Sequence, residues 1–256
     1  MQVTYVPLLQ QQRDLYSTPN GMKRFRHYLS VMTNPKGDGL VFPPLALINP
    51  MGKEHLNQRL DELLAIHADE QAQASVSNLQ SELVDILGNY HLSLILADDA
   101  QGGWTNRYDY EYQLRCPQVE LEDGVPIVPQ WTEHCWLTSV LWASDPVSER
   151  TVQQTIRCTL YRAAYQSKQG IPQSLREMMQ QEGQVLLKAG CLEPCLDPDE
   201  VEYTREVISP FLQATDKRTI IECLFGDSAG ATLGFTPRGL SLNAGLALAL
   251  HDAQVQ

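Results

Sequence analysis

The chain has 256 residues, 43% hydrophobic and 20% charged, with 31 acidic and 19 basic side chains and a formal charge of -12. That length can bury a sizeable core in one large or two small domains, and the composition excludes a collagen, a disulfide mini-protein or a disordered chain. A surface this negative repels phosphate backbones and anionic lipid heads, so broad nucleic-acid or membrane-surface binding is disfavoured.

The first ten residues lack the basic segment and long apolar run of a signal peptide. The longest apolar run, Leu246 to Leu250, falls far short of the ~20 residues a membrane span needs. The six cysteines (116, 135, 158, 191, 195 and 223) are scattered and form no dense framework. Reduced thiols in a cytoplasmic setting are the expectation.

Residues 1–54 are rich in turn signals, Thr18-Pro19-Asn20-Gly21 and Asn34-Pro35-Lys36-Gly37-Asp38-Gly39. Between them Met22 to Met32 fits a short helix or strand. It opens on the chain's one basic patch with interleaved aromatics, Met22-Lys23-Arg24-Phe25-Arg26-His27-Tyr28. Such a patch can dock a partner or grip an anionic ligand. Leu45 to Ile48, bounded by prolines, reads as a strand or buried extended segment.

From Glu54 to Leu87 the apolar residues fall at steps of three and four. The spacing predicts one long helix, with a possible break near Ser75 to Ser77 and a stop at Gly88-Asn89. His91 to Ala97 reads as a buried strand. Asn106 to Cys116 alternates, with Tyr108, Tyr110, Tyr112 and Leu114 on one side, and reads as a half-buried strand. Trp131 to Ala143 reads as a third. Short connections predict antiparallel pairing of 92–97, 106–115 and 131–142, because parallel strands need long crossovers.

After Ser144 the pattern is helical. Asp145-Pro146 and Asp197-Pro198 read as N-caps with proline at the first position. Gly170 and Gly190 end helices, and Pro172 opens the one between them. Residues 219–225 are ambiguous, with Asp216 favouring helix, and Leu242 to His251 forms a terminal helix. The expected architecture is therefore α+β. A small antiparallel sheet and a long helix occupy residues 1–144, and a helical part spans 145–256, packed with the first as one unit.

Gly226-Asp227-Ser228-Ala229-Gly230 fits the pattern G-x-S-x-G. Over these five residues the chain resembles the nucleophile elbow of hormone-sensitive-lipase-like esterases. The resemblance implies a strand-to-helix turn presenting Ser228 as nucleophile. In that family an acid and then a histidine follow the serine at long distance. Here the only later pair is His251 and Asp252, in the reverse order, and no HGGG-like segment lies upstream. The reading of the residues is a glycine-punctuated loop between helices. Cys191-x-x-x-Cys195 could supply two zinc ligands, but no second pair at matching spacing completes a site.

The densest mix of functional side-chain types runs from Asp98 to Tyr112. Asp98 and Asp99 stand at a strand exit, Gly102-Gly103 permits close backbone approach, and Arg107 follows. His134, on the third strand, could join them. Two carboxylates, an arginine and a histidine could hold a divalent metal or run acid–base chemistry. No phosphate-cradling fingerprint of the G-x-G-x-x-G or G-x-x-x-x-G-K-[ST] kind is present, and the sequence leaves any cofactor or metal unknown. The expected function is a binding or protein-interaction module, with a protein partner or a small anionic ligand. The alternative is a small-molecule enzyme around Asp98, Asp99, Arg107 and His134, or a serine hydrolase using Ser228.

Overall fold

A computed structural model describes residues 1–52, 54–84, 86, 88–100, 106–117 and 135–255. In chain order the elements are β1 (Gln2–Tyr5), α1 (Leu9–Ser17), α2 (Met22–Met32), a 3-10 turn (Pro43–Leu47), α3 (Glu54–Ala65), α4 (Ala68–Leu79), β2 (Asn89–Ala97), α5 (Arg107–Arg115) and β3 (Trp136–Trp142). Then come α6 (Glu149–Gln169), α7 (Leu175–Ala189), α8 (Pro198–Ile208), a 3-10 turn (Ser209–Phe211), α9 (Lys217–Phe225), α10 (Asp227–Thr232) and α11 (Ala244–Val255). The chain divides into two compact units. Residues 1–105 and 131–160 form the first, and 106–130 and 161–256 the second.

The first unit is built on a parallel sheet of order β1-β2-β3. Gln2 pairs with Asn89 and Tyr5 with Leu92 on one side of β2, while His91 pairs with Trp136 and Ala97 with Trp142 on the other. This corrects the antiparallel expectation. Parallel neighbours require crossovers, and the chain supplies them: α1 to α4 lie between β1 and β2, and α5 lies between β2 and β3. Central β2 is apolar on both faces, with Leu92, Leu94, Ile95 and Leu96 all buried. That is the signature of a covered parallel strand. β1 stops at Tyr5, and the buried Gln12 of α1 continues its pairing. The side-chain amide of Gln12 donates to Leu96 O at 2.5 Å, and its Oε1 accepts from Leu96 N at 3.0 Å.

Arg107 to Arg115, expected as a strand, is helix α5. Its tyrosine alternation competes with helical signals that prevail. Asn106 caps the helix, its side chain accepting from Tyr108 N at 2.9 Å and Asp109 N at 3.3 Å. Asp109 in the first turn and Arg115 in the last suit the helix dipole, and Glu111 pairs with Arg115 one turn on. The single long helix expected over 54–87 is two helices, α3 and α4. They break at His67, which is left-handed (φ 55°), rather than near Ser75. The segment expected as a strand at 45–48 lies in the 3-10 turn. Of the third expected strand, 131–134 lie outside the described residues and Trp136–Trp142 is a strand. Asp145 accepts from Trp142 N, and it is Ser148 that caps α6, accepting from Thr151 N at 3.1 Å.

In the second unit the helical expectations after residue 172 hold, with shifted ends. Ser174, Asp197 and Asp216 each cap a helix, and Gly190 closes α7 in the left-handed region. Helix α11 is buried continuously from Ala244 to Leu250, as befits a helix apolar on all sides. Its small residues allow close neighbours. A Cβ on Gly245 would lie 2.3 Å from Cys223 O, and one on Gly183 of α7 would lie 2.3 Å from Ala249 O.

The core of this unit holds a charge. Glu182 of α7 is fully buried and receives the guanidinium of Arg162 on both oxygens at 2.8 Å. Arg115 Nε stands 2.9 Å from Oε2, and Gln181 donates at 3.0 Å. Burial pushes the Glu182 carboxyl up, but Arg162 and Arg115 outweigh it and hold it at about 2. Among the described residues no helix is long and apolar enough to cross a membrane.

Candidate functional site

In a parallel sheet, ligands gather at the carboxyl ends of strands. Here β2 and β3 run out together into Asp98-Asp99 and Ala143-Ser144-Asp145. Asp98 is 5% exposed. Its Oδ1 lies 2.9 Å from Nε2 of His55, in the first turn of α3, and also accepts from Ala100 N at 3.1 Å. Asp99 reaches across to β3's exit, accepting from Ser144 N at 3.0 Å and Ser144 Oγ at 2.5 Å. Arg59 of α3 donates to Ala143 O at 3.0 Å. Nδ1 of His55 is buried and has no hydrogen-bond partner. An aspartate holding one imidazole nitrogen leaves the other to accept or deliver a proton.

The sequence pointed to Asp98, Asp99, Arg107 and His134. Asp98 and Asp99 sit together at this edge in the first unit. Arg107 opens α5 in the second unit, and His134 lies outside the described residues. The histidine beside Asp98 is His55, which sequence reasoning missed. Its only signal was its place in a helix first turn, straight after the turn residues Pro50 and Gly52. Among the described residues no three His, Cys, Asp or Glu side chains group as metal ligands.

The basic patch takes an unexpected form on α2. Arg24, its central cation, is 3% exposed. Its Nε donates to Thr18 O at 2.6 Å, its Nη1 to Gly52 O at 2.7 Å and its Nη2 to Tyr16 O at 3.3 Å. The guanidinium lies 5.5 Å from the Tyr16 ring centre. Tyr28, one turn on, is also buried and donates to Leu45 O at 3.1 Å, and burial raises its phenol pKa. These two residues fix which face of α2 meets the core.

The apolar stripe of α2 therefore points out. Met22 is 64% and Leu29 37% exposed, with Phe25 and Met32 half-buried between and beyond them. Lys23 and Arg26 flank the stripe, exposed and without an ion-pair partner among the described residues. The turn at Asn34, whose side chain accepts from Lys36 N and Asp38 N, folds the chain back so that Thr33 bridges Leu40. Val41 N then donates to Met32 O at 2.8 Å. This sets exposed Leu40 (48%) and Val41 (42%) at the end of α2. Beside them a groove of about 390 Å³ runs between α1 and α2, lined by Asp14, His27, Ser30, Val41 and Phe42 among others.

The G-x-S-x-G segment joins two helices, α9 and α10, with no strand before it. Gly226 has φ 80°, and a Cβ there would meet Ser241 O at 2.0 Å. Ser228 is exposed, and Asp227 binds Arg238 N and Gly239 N at 2.7 and 2.8 Å. His251 Nδ1 lies 3.4 Å from its neighbour Asp252. All six cysteines are free thiols, Cys191 buried and Cys195 exposed. Comparison with protein-family models, curated proteins and solved structures finds no match to this chain.

Proposed function

We propose that the protein is an interaction module that docks an acidic, amphipathic helix of a partner protein along α2. The observation that carries this reading is the reversed helix: Arg24 and Tyr28 face the core while Met22 and Leu29 face out. An amphipathic stripe is usually what a helix buries, and an exposed one rimmed by polar groups is the common form of an interaction site. The rim selects the partner's charge. Lys23 and Arg26 have no ion-pair partner among the described residues, on a chain of charge -12, so an acidic rim on the partner is complementary. The six free cysteines suit a reducing, cytoplasmic setting.

The test uses two designed peptides, each a leucine-striped helix, one rimmed by glutamate and one by lysine. The glutamate peptide should bind, bind less tightly as salt rises, and lose affinity in Leu29→Asp and Arg26→Glu. Equal binding of both peptides, or unchanged affinity in the two variants, would refute the reading. So would binding of anionic vesicles in place of the peptide, or occupation of the stripe by a second copy of the chain in sedimentation.

A second reading, acid–base chemistry on a small molecule at Asp98, is favoured by the unpartnered Nδ1 of His55. It requires that His55→Gln abolish turnover of the substrate while leaving the fold intact. Turnover unaffected by that change would remove it.

A further inference from the structure

The second unit contains a cavity of about 520 Å³, within the roughly 300–1,000 Å³ of small-ligand sites. It lies between α7, α8 and α11, with Tyr165 from the end of α6. Gly183 explains its position. The glycine brings α7 against the backbone of α11 at Ala249, and the third wall, α8 and the turn after it, stands off from this close pair. The inner lining is apolar, with Met179, Ile208, Leu248 and Ala249. Met179 and Ile208 are themselves largely buried.

The polar lining is sharply divided. Arg205 and Asp252 form a two-bond pair at 3.0 and 2.6 Å and cancel one another. Arg176 is exposed and its guanidinium has no ion-pair partner among the described residues, so the lining carries one net positive charge. We infer that this cavity binds a small amphipathic monoanion, an aliphatic chain ending in a carboxylate. The chain lies on Met179, Ile208 and Leu248, and the carboxylate takes the planar fork of Arg176. With Asp252 held by Arg205, the lining's single net positive charge matches a monoanion and leaves the second charge of a phosphate-ester dianion unanswered. An aliphatic amine of equal length finds the one lining carboxylate, Asp252, already held by Arg205 and meets Arg176 as a like charge.

Sub-micellar octanoate, octyl phosphate and octylamine are the probes, added to the full chain carrying ¹³C-methyl methionine. Octanoate should shift the Met179 methyl signal saturably, octyl phosphate should bind more weakly, and octylamine should leave it unmoved. Arg176→Ala, at an exposed position that cannot disturb the core, should weaken octanoate by about tenfold or more, the loss of one charge-assisted contact. Arg176→Lys should restore only part of that. The inference fails if octanoate leaves Met179 unmoved. It fails equally if octylamine binds as well, or if Arg176→Ala binds octanoate like the parent protein.

Discussion

Helices α2 and α7 each bury a charged residue, with opposite consequences. On α7, Glu182 meets the side chains of Arg162 and Arg115. The charge is neutralised inside the face that also buries Leu175, Met178, Val185 and Leu186. The outer face of α7 stays polar apart from Leu187. On α2, Arg24 meets only backbone carbonyls and the Tyr16 ring. Those acceptors lie in the last turn of α1 and in the segments entering α2 and α3, so the arginine pins the rotation of the helix about its axis. The apolar residues, spaced to one side, are then carried outward. A buried charge answered by an opposite side chain leaves a helix's polarity intact, whereas one answered by loop carbonyls can reverse it.

The comparison predicts a graded set of effects. Glu182→Gln should be the most damaging, by about 3–5 kcal/mol, because it removes the buried carboxylate that Arg162 and Arg115 share. Chemical denaturation read at the second unit measures it. The same carboxyl should set an acid limit. Its folded pKa of about 2 lies below the ordinary 4.5, so its contribution is complete above pH 4.5 and disappears as pH falls towards 2. Glu182→Gln should lack that part of the acid-unfolding slope.

Arg24→Ala should cost less, about 2–3 kcal/mol, since it strands carbonyls rather than charges. Calorimetry on the two variants tests that order, and an equal or larger loss for Arg24 would break the comparison. Asn106→Ala should cost about 1 kcal/mol through loss of the α5 cap, seen as reduced helicity and a lower Tm. Smallest of all, the double change Met22→Ser with Leu29→Ser should move stability by no more than about 0.5 kcal/mol while weakening the glutamate-rimmed peptide. A large destabilisation there would mean the stripe is core.

Much of the second unit was legible because its helices carry explicit end signals: Asp197-Pro198, Asp216 and Gly190 sit at caps. Strand β2 was legible as an unbroken apolar run, but its parallel pairing was not. That pairing needs a long connection, and the α5 stretch within it carries three alternating tyrosines that imitate a strand, against a capping asparagine and helix-end charges that are quieter signals. β1 is only four residues long and too short to show a period. The place of Asp98 at the end of a strand was legible because the apolar run of β2 stops at Ala97. His55 was not, since 43 residues separate it from Asp98. The α2 stripe was legible as a period and not as a direction, because nothing in the spacing of Met22, Phe25, Leu29 and Met32 says that Arg24 is the side turned inward.

The six methionines offer the most direct measurement, since Met22 and Met32 lie on α2 and Met178 and Met179 on α7. With ¹³C-methyl methionine in the intact chain, the glutamate-rimmed peptide is titrated and all six signals are followed. An outward α2 stripe that docks the peptide predicts saturable shifts at Met22 and Met32, with Met178 and Met179 unmoved. Shifts confined to Met178 and Met179, or silence at Met22 and Met32 while the peptide binds, would contradict it.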